Sequence, residues 1–117
     1  MVNPDGVIQG NHRSDLAGFD MNRHWEKPSP WMHPIIYSIK NLARIVTEER
    51  VIDVFCDMHG HYVQNGAFMY CCSNNKGMVK DDFLLKVIPQ LLSKKNELFS
   101  LGDCSYGMEE NKVGTAR

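Results

Sequence analysis

The sequence predicts an α/β fold, on three observations. Ile35, Ile39, Leu42 and Val46 recur at helical spacing, residues 51–56 form a β-branched and nearly all-apolar run, and residues 82–99 return to a helical pattern. With a second short strand at 67–71, the order is helix, strand, strand, helix.

Residues 2–34 precede these elements and are dense in turn formers: Asn3-Pro4-Asp5-Gly6, Gly10-Asn11, Gly18, Pro28, Pro30 and Pro34. No apolar period runs through them, so they read as one long ordered loop carrying Trp25 and Trp31. Loops beyond about 12–15 residues in a compact domain are usually functional or disordered, and the fixed turn signals here favour function. Pro34 suits a first helical turn, where its missing N–H costs nothing, and the helix it opens should end near Glu49 and Arg50. The run at 51–56 reads as a strand buried on both faces. Asp57-Met58-His59-Gly60-His61 follows at its carboxyl end, and a turn at Asn65-Gly66 leads into 67–71. In the last helix Leu84, Ile88 and Leu91 share a face, and Pro89 should kink or split it. The polar tail beyond Gly102 has no clear pattern.

At 117 residues and 13.4 kDa the chain has room for one small domain. Thirteen basic residues against fourteen acidic ones leave a net charge of -1, which argues against nucleic-acid binding and against a polybasic membrane surface. No apolar run approaches the roughly 20 residues that span a bilayer, and the start lacks an apolar signal core. The expected compartment is the cytoplasm or nucleus. Cys56, Cys71, Cys72 and Cys104 form no CxxC pair and read as free thiols.

His59 closes an apolar strand, where ligands of open α/β sheets bind. It reads as a catalytic or metal-binding residue, or as part of a solvated strand end. His61 makes an HxH pair with it, which is half a metal site; His12, His24 and His33 in the long loop are possible further donors. Arg13, Asn22 and Arg23 form a second group, read either as an anion site built on guanidinium forks or as surface side chains bracing the loop.

Taken together, Asn3-Pro4-Asp5-Gly6, Gly10-Asn11-His12-Arg13, Leu16-Ala17-Gly18-Phe19-Asp20-Met21-Asn22-Arg23-His24-Trp25 and Asp57-Met58-His59-Gly60-His61 resemble the cytosolic carboxypeptidases, a zinc metallocarboxypeptidase subfamily. His33-Pro34, Phe68-Met69-Tyr70, Pro89-Gln90-Leu91-Leu92-Ser93 and Gly114-Thr115-Ala116-Arg117 extend the resemblance along the whole chain.

The resemblance implies a partial zinc-carboxypeptidase-like domain, a mixed sheet with flanking helices. It implies removal of C-terminal glutamates from protein tails, tubulin among them, in the cytoplasm; the charge balance adds the expectation of no nucleic acid or membrane as partner. Residue by residue, His59 matches the family's third zinc ligand and Arg13 the arginine that polarises the scissile carbonyl. Asn22 and Arg23 match the pair that grips the substrate's terminal carboxylate. The family's HxxE, which supplies two zinc ligands, lies upstream of the NPDG block, and no HxxE occurs in this sequence. The general-base glutamate lies beyond the GTxR stretch, so Glu109 and Glu110 do not match it. Residues 1–117 are therefore expected to be the central to C-terminal part of a catalytic domain, with Zn2+ not held tightly and no cleavage by this chain alone. The alternative expectation is a non-catalytic remnant that binds acidic tails.

Overall fold

A computed structural model describes residues 1–71, 79–107, 109, 112 and 114–116. Cys72, Glu110 and Arg117, which the sequence singles out, lie outside the described residues. The elements are α1 (Pro4–Ile8), a 3-10 turn (Met21–Arg23), α2 (Pro34–Glu49) and α3 (Val79–Lys95). They fall into two compact units, one of Met1–Asp57 with Lys112–Ala116 and one of Met58–Asn111.

In the first unit the expected loop begins instead with a capped helical turn. The Asn3 side chain accepts from the Gly6 N–H at 3.1 Å, Pro4 fills the first turn, and Asp5 places negative charge at the helix start. Five residues are too few to carry an apolar period, so only the capping chemistry betrays this helix. The rest of the loop is held by side-chain amides. Asn3 Nδ2 and Asn11 Nδ2 both donate to the Ser14 carbonyl, at 3.0 and 3.3 Å, and Asp15 Oδ1 accepts from the Ala17 and Phe19 amides. Gly6 is buried where this frame closes; a Cβ there would lie 2.6 Å from the Ser14 carbonyl oxygen.

The helix α2 has the predicted bounds, but its covered seam differs. Ile36 is the buried anchor, with Ile39, Ala43 and Val46 partly covered beside it, whereas Leu42 is 61 % exposed. Lys40 Nζ donates to the Trp25 and Glu26 carbonyls at 2.6 and 2.7 Å, tying α2 to the long loop. Beyond the helix, the expected buried strand is not formed: residues 51–56 lie outside any named strand and every one is exposed, Val51 at 84 %. A strand is stabilised by its neighbours, and among the described residues none pairs with these. Phe55 makes an edge contact with Trp25, ring centroids 5.8 Å apart.

In the second unit, residues 67–71 meet the segment after α3 through two isolated parallel bridges, Ala67 to Phe99 and Tyr70 to Ser105. Four backbone hydrogen bonds of 2.8–3.0 Å carry them. The α3 helix begins three residues before the predicted start and stops at Lys95, where the Asn96 side chain accepts from the Leu98 N–H at 2.9 Å. It runs through Pro89 as one element, and Pro89 is fully buried. The expected face of Leu84, Ile88 and Leu91 is exposed; Leu85, Pro89 and Leu92 lie on the covered side. Adjacent leucines at 84–85 and 91–92 give both faces an apolar period, so spacing alone does not choose between them. No helix among the described residues is long and apolar enough to cross a membrane.

Gly6→Ala should destabilise the α1 frame by about 1–3 kcal/mol, the usual cost of overpacking. The local readout is hydrogen exchange at the Asn11 amide, which donates to the Gly6 carbonyl at 2.8 Å. Exchange unchanged from the parent would show that the pocket has room for a methyl group.

Candidate functional site

The 3-10 turn at Met21–Arg23 exists because Asp20 caps it: Asp20 Oδ1 accepts from the Asn22 N–H at 3.0 Å. The second oxygen faces the arginines. Arg13 Nε donates to Asp20 Oδ2 at 2.5 Å, and Arg23 Nη1 lies 3.8 Å from the same oxygen. Burial pushes the Asp20 carboxyl up. The hydrogen bonds from Arg13 and the Asn22 amide, with the charges of both arginines, outweigh it and leave the pKa below the ordinary carboxylate value. Two guanidinium groups around one carboxylate leave net positive charge, and both side chains are well exposed, 53 % for Arg13 and 41 % for Arg23. That arrangement suits an anion arriving from solvent.

The backbone behind these side chains is fixed from far along the chain. Ala116 N–H donates to Asn22 Oδ1 at 2.9 Å, across 94 residues, and Trp25 N–H donates to the Gly114 carbonyl at 2.8 Å. Arg23 Nη1 also donates to the Asn22 carbonyl at 2.9 Å. Thus Arg13, Asn22 and Arg23 are brought together within one unit.

The histidines are placed differently. His24 and His33 stack face to face at 3.9 Å, with Phe19 edge-on to both. Parallel stacked rings send their in-plane lone pairs side by side instead of toward one point, so this pair is a packing contact. His59 is exposed at the start of the second unit. His61 is engaged by its own loop: Nδ1 accepts from the Gln64 N–H at 3.0 Å, and Nε2 lies 3.5 Å from the Tyr70 hydroxyl. Tyr70 in turn donates to Gln64 Oε1 at 3.3 Å. With both nitrogens so directed, His61 staples the loop rather than completing an HxH ligand pair. Cys56, Cys71 and Cys104 are not in disulfides.

No protein-family model matches the chain. Its similarity to individual proteins is extensive. It is 40 % identical to cytosolic carboxypeptidase 1 of Gallus gallus over 129 aligned positions covering the whole chain. The figure is 41 % for cytosolic carboxypeptidase 1 of Danio rerio and 36 % for cytosolic carboxypeptidase 4 of Mus musculus, again over the whole chain. By sequence the chain belongs with the cytosolic carboxypeptidases. It spans about a tenth of the length of those relatives, 10 %, 11 % and 12 % respectively.

The metal donors decide how much of a carboxypeptidase's chemistry these residues can hold. Catalytic zinc takes three protein ligands. Among the described residues no three His, Cys, Asp or Glu side chains converge to hold a metal ion. His59 can supply one donor. The residue that sequence reasoning missed is Asp20; an aspartate directly before a short turn is a capping signal, and its two-residue spacing to Asn22 was visible. The contacts of Gly114 and Ala116 use backbone atoms and left no signal in the side chains.

Because its pKa is depressed in the folded state, Asp20 contributes stability that is present above the ordinary carboxylate range, about 4, and is lost as pH falls through the folded value. Asp20→Asn should therefore lower stability at neutral pH by about 0.2–1 kcal/mol, the range for exposed ion pairs, and flatten the acid-side decline. Hydrogen exchange at the Asn22 amide followed from pH 7 to 3 measures both; identical acid profiles for the two proteins would count against the node.

Proposed function

We propose that this chain is part of a metallocarboxypeptidase catalytic domain of mixed α/β architecture, a central sheet with flanking helices. In the whole protein the activity would be zinc-dependent removal of C-terminal glutamates from protein tails such as those of tubulin, in the cytoplasm. The observation that carries this reading is the gathering of Arg13, Asn22 and Arg23 around Asp20, in a chain 40 % identical to a cytosolic carboxypeptidase over its full length.

In this reading each residue has one task. Arg23 presents a guanidinium fork, and Asn22 a carboxamide, to the terminal carboxylate of the substrate; that is how an exopeptidase finds a chain end. Arg13 polarises the scissile carbonyl and stabilises the oxyanion that develops there, an interaction strongest in the transition state. Before substrate arrives, Asp20 keeps the two cations from repelling each other; an incoming carboxylate then joins a site already neutralised in part. His59 would be one of the zinc ligands in the whole domain. The 117 residues by themselves are proposed to be inactive; the alternative reading is a non-catalytic remnant that binds acidic tails without cutting them.

The test is to express the protein from its native transcript, so that whatever adjoins this sequence is present, and to assay a peptide ending in consecutive glutamates. Chelator-sensitive release of glutamate is the expected result, with no release by residues 1–117 alone. Arg13→Ala should lower kcat about 100- to 1000-fold, the cost of one oxyanion donor, and Arg23→Ala should act mainly on KM. Tail binding that survives chelator, with no cleavage under any metal, would identify a binding protein. An Arg23→Ala protein with unchanged KM and affinity would remove the carboxylate-gripping assignment.

A further inference from the structure

We infer that the turn residues 114–116 are a positioning element for the carboxylate-gripping pair, with the Ala116 amide deciding which way the Asn22 carboxamide faces. The inference rests on the proposed role of Asn22 and Arg23 and adds the residues that hold them.

An asparagine side chain has an acceptor at one end and two donors at the other, and a half-turn about its last bond exchanges them. Only the donor end can meet a substrate carboxylate; the oxygen end would repel it. The Ala116 N–H is a donor and nothing else. At 2.9 Å it is compatible with Asn22 Oδ1 and incompatible with Nδ2, whose hydrogens would confront its own. The bond therefore selects one of two orientations, the one with Oδ1 toward the Ala116 amide.

The same turn fixes the backbone on either side. Gly114 has φ +84°, a conformation that L side chains rarely adopt, and a Cβ on it would lie 2.7 Å from the Arg23 carbonyl oxygen. Its own carbonyl accepts the Trp25 N–H at 2.8 Å. The turn is closed internally by Thr115, whose Oγ1 and N–H both donate to the Lys112 carbonyl, at 2.7 and 3.2 Å. Residues 22, 23 and 25 are thus each approached by backbone of 114–116, and glycine at 114 is what permits the distance. Ala116 is a positioning residue; it acts through Asn22.

The experiment uses the protein expressed from its native transcript, with chelator added to prevent turnover. Its affinity for a peptide ending in Glu-Glu is compared with that for the same peptide closed as a C-terminal amide. The parent should prefer the free acid. Ala116→Pro removes the N–H and should cut that preference about tenfold, the worth of one hydrogen bond to a charged group, while affinity for the amide stays level. Thr115→Ala loosens the turn but keeps the Ala116 amide, and should retain the preference. A merely structural turn would weaken both peptides together. Independently, a through-hydrogen-bond coupling between the Ala116 nitrogen and the Asn22 side-chain carbonyl carbon is expected in the labelled parent, and it decides alone if A116P does not fold. An absent coupling, or an unchanged acid preference in folded A116P, overturns this inference and leaves the proposed function standing. A parent with no preference for the free acid overturns the carboxylate grip itself, and the inference falls with it.

Discussion

The candidate site depends on the carboxylate of Asp20. One of its oxygens caps the short turn that displays Asn22 and Arg23, and the other pairs with Arg13 and stands near Arg23. A single side chain thereby does the local work of a helix cap and the longer-range work of gathering cations. Both need the ionised form, and the positive charge around it keeps it ionised despite partial burial.

Around that node the first unit is framed by polar contacts more than by apolar burial. Met21 and Ile36 are the buried hydrophobic side chains among that unit's described residues, while the amides of Asn3 and Asn11, the Asp15 carboxylate and the Lys40 ammonium each take backbone partners in the loop. Such a frame holds a loop of this length in one conformation without strands, because the carbonyls and amides a loop exposes are satisfied one by one. It also fits a site for charged ligands, which a thick apolar cover would desolvate at high cost.

Two features of the chain point beyond its own contacts. The nearly all-apolar run 51–56 is exposed, as are Leu84 and Leu91 on α3, although the sequence around each reads as a buried element. The chain spans about a tenth of the length of the relatives it matches. The second unit shows the same economy of pairing: segment 67–71 meets 98–105 through two bridges instead of a continuous ladder.

Much was legible from residue types alone. The bounds of α2, the grouping of Arg13 with Asn22 and Arg23, and the family relationship follow from a proline, a periodic stripe and uncommon short blocks, all of them local signals. The α1 turn was legible in principle through its Asn-Pro-Asp cap, which a search for apolar period passes over. Other features were decided only by the folded chain: which face of α2 and α3 is covered, since both faces of α3 are apolar; whether 51–56 finds strand partners; and that His61 turns both ring nitrogens into its own loop. The clearest case is Ala116 meeting Asn22 across 94 residues. Its contact is made by a backbone N–H, a group nearly every residue has, so no choice of side chain could announce it; only the path of the chain brings that donor to that oxygen.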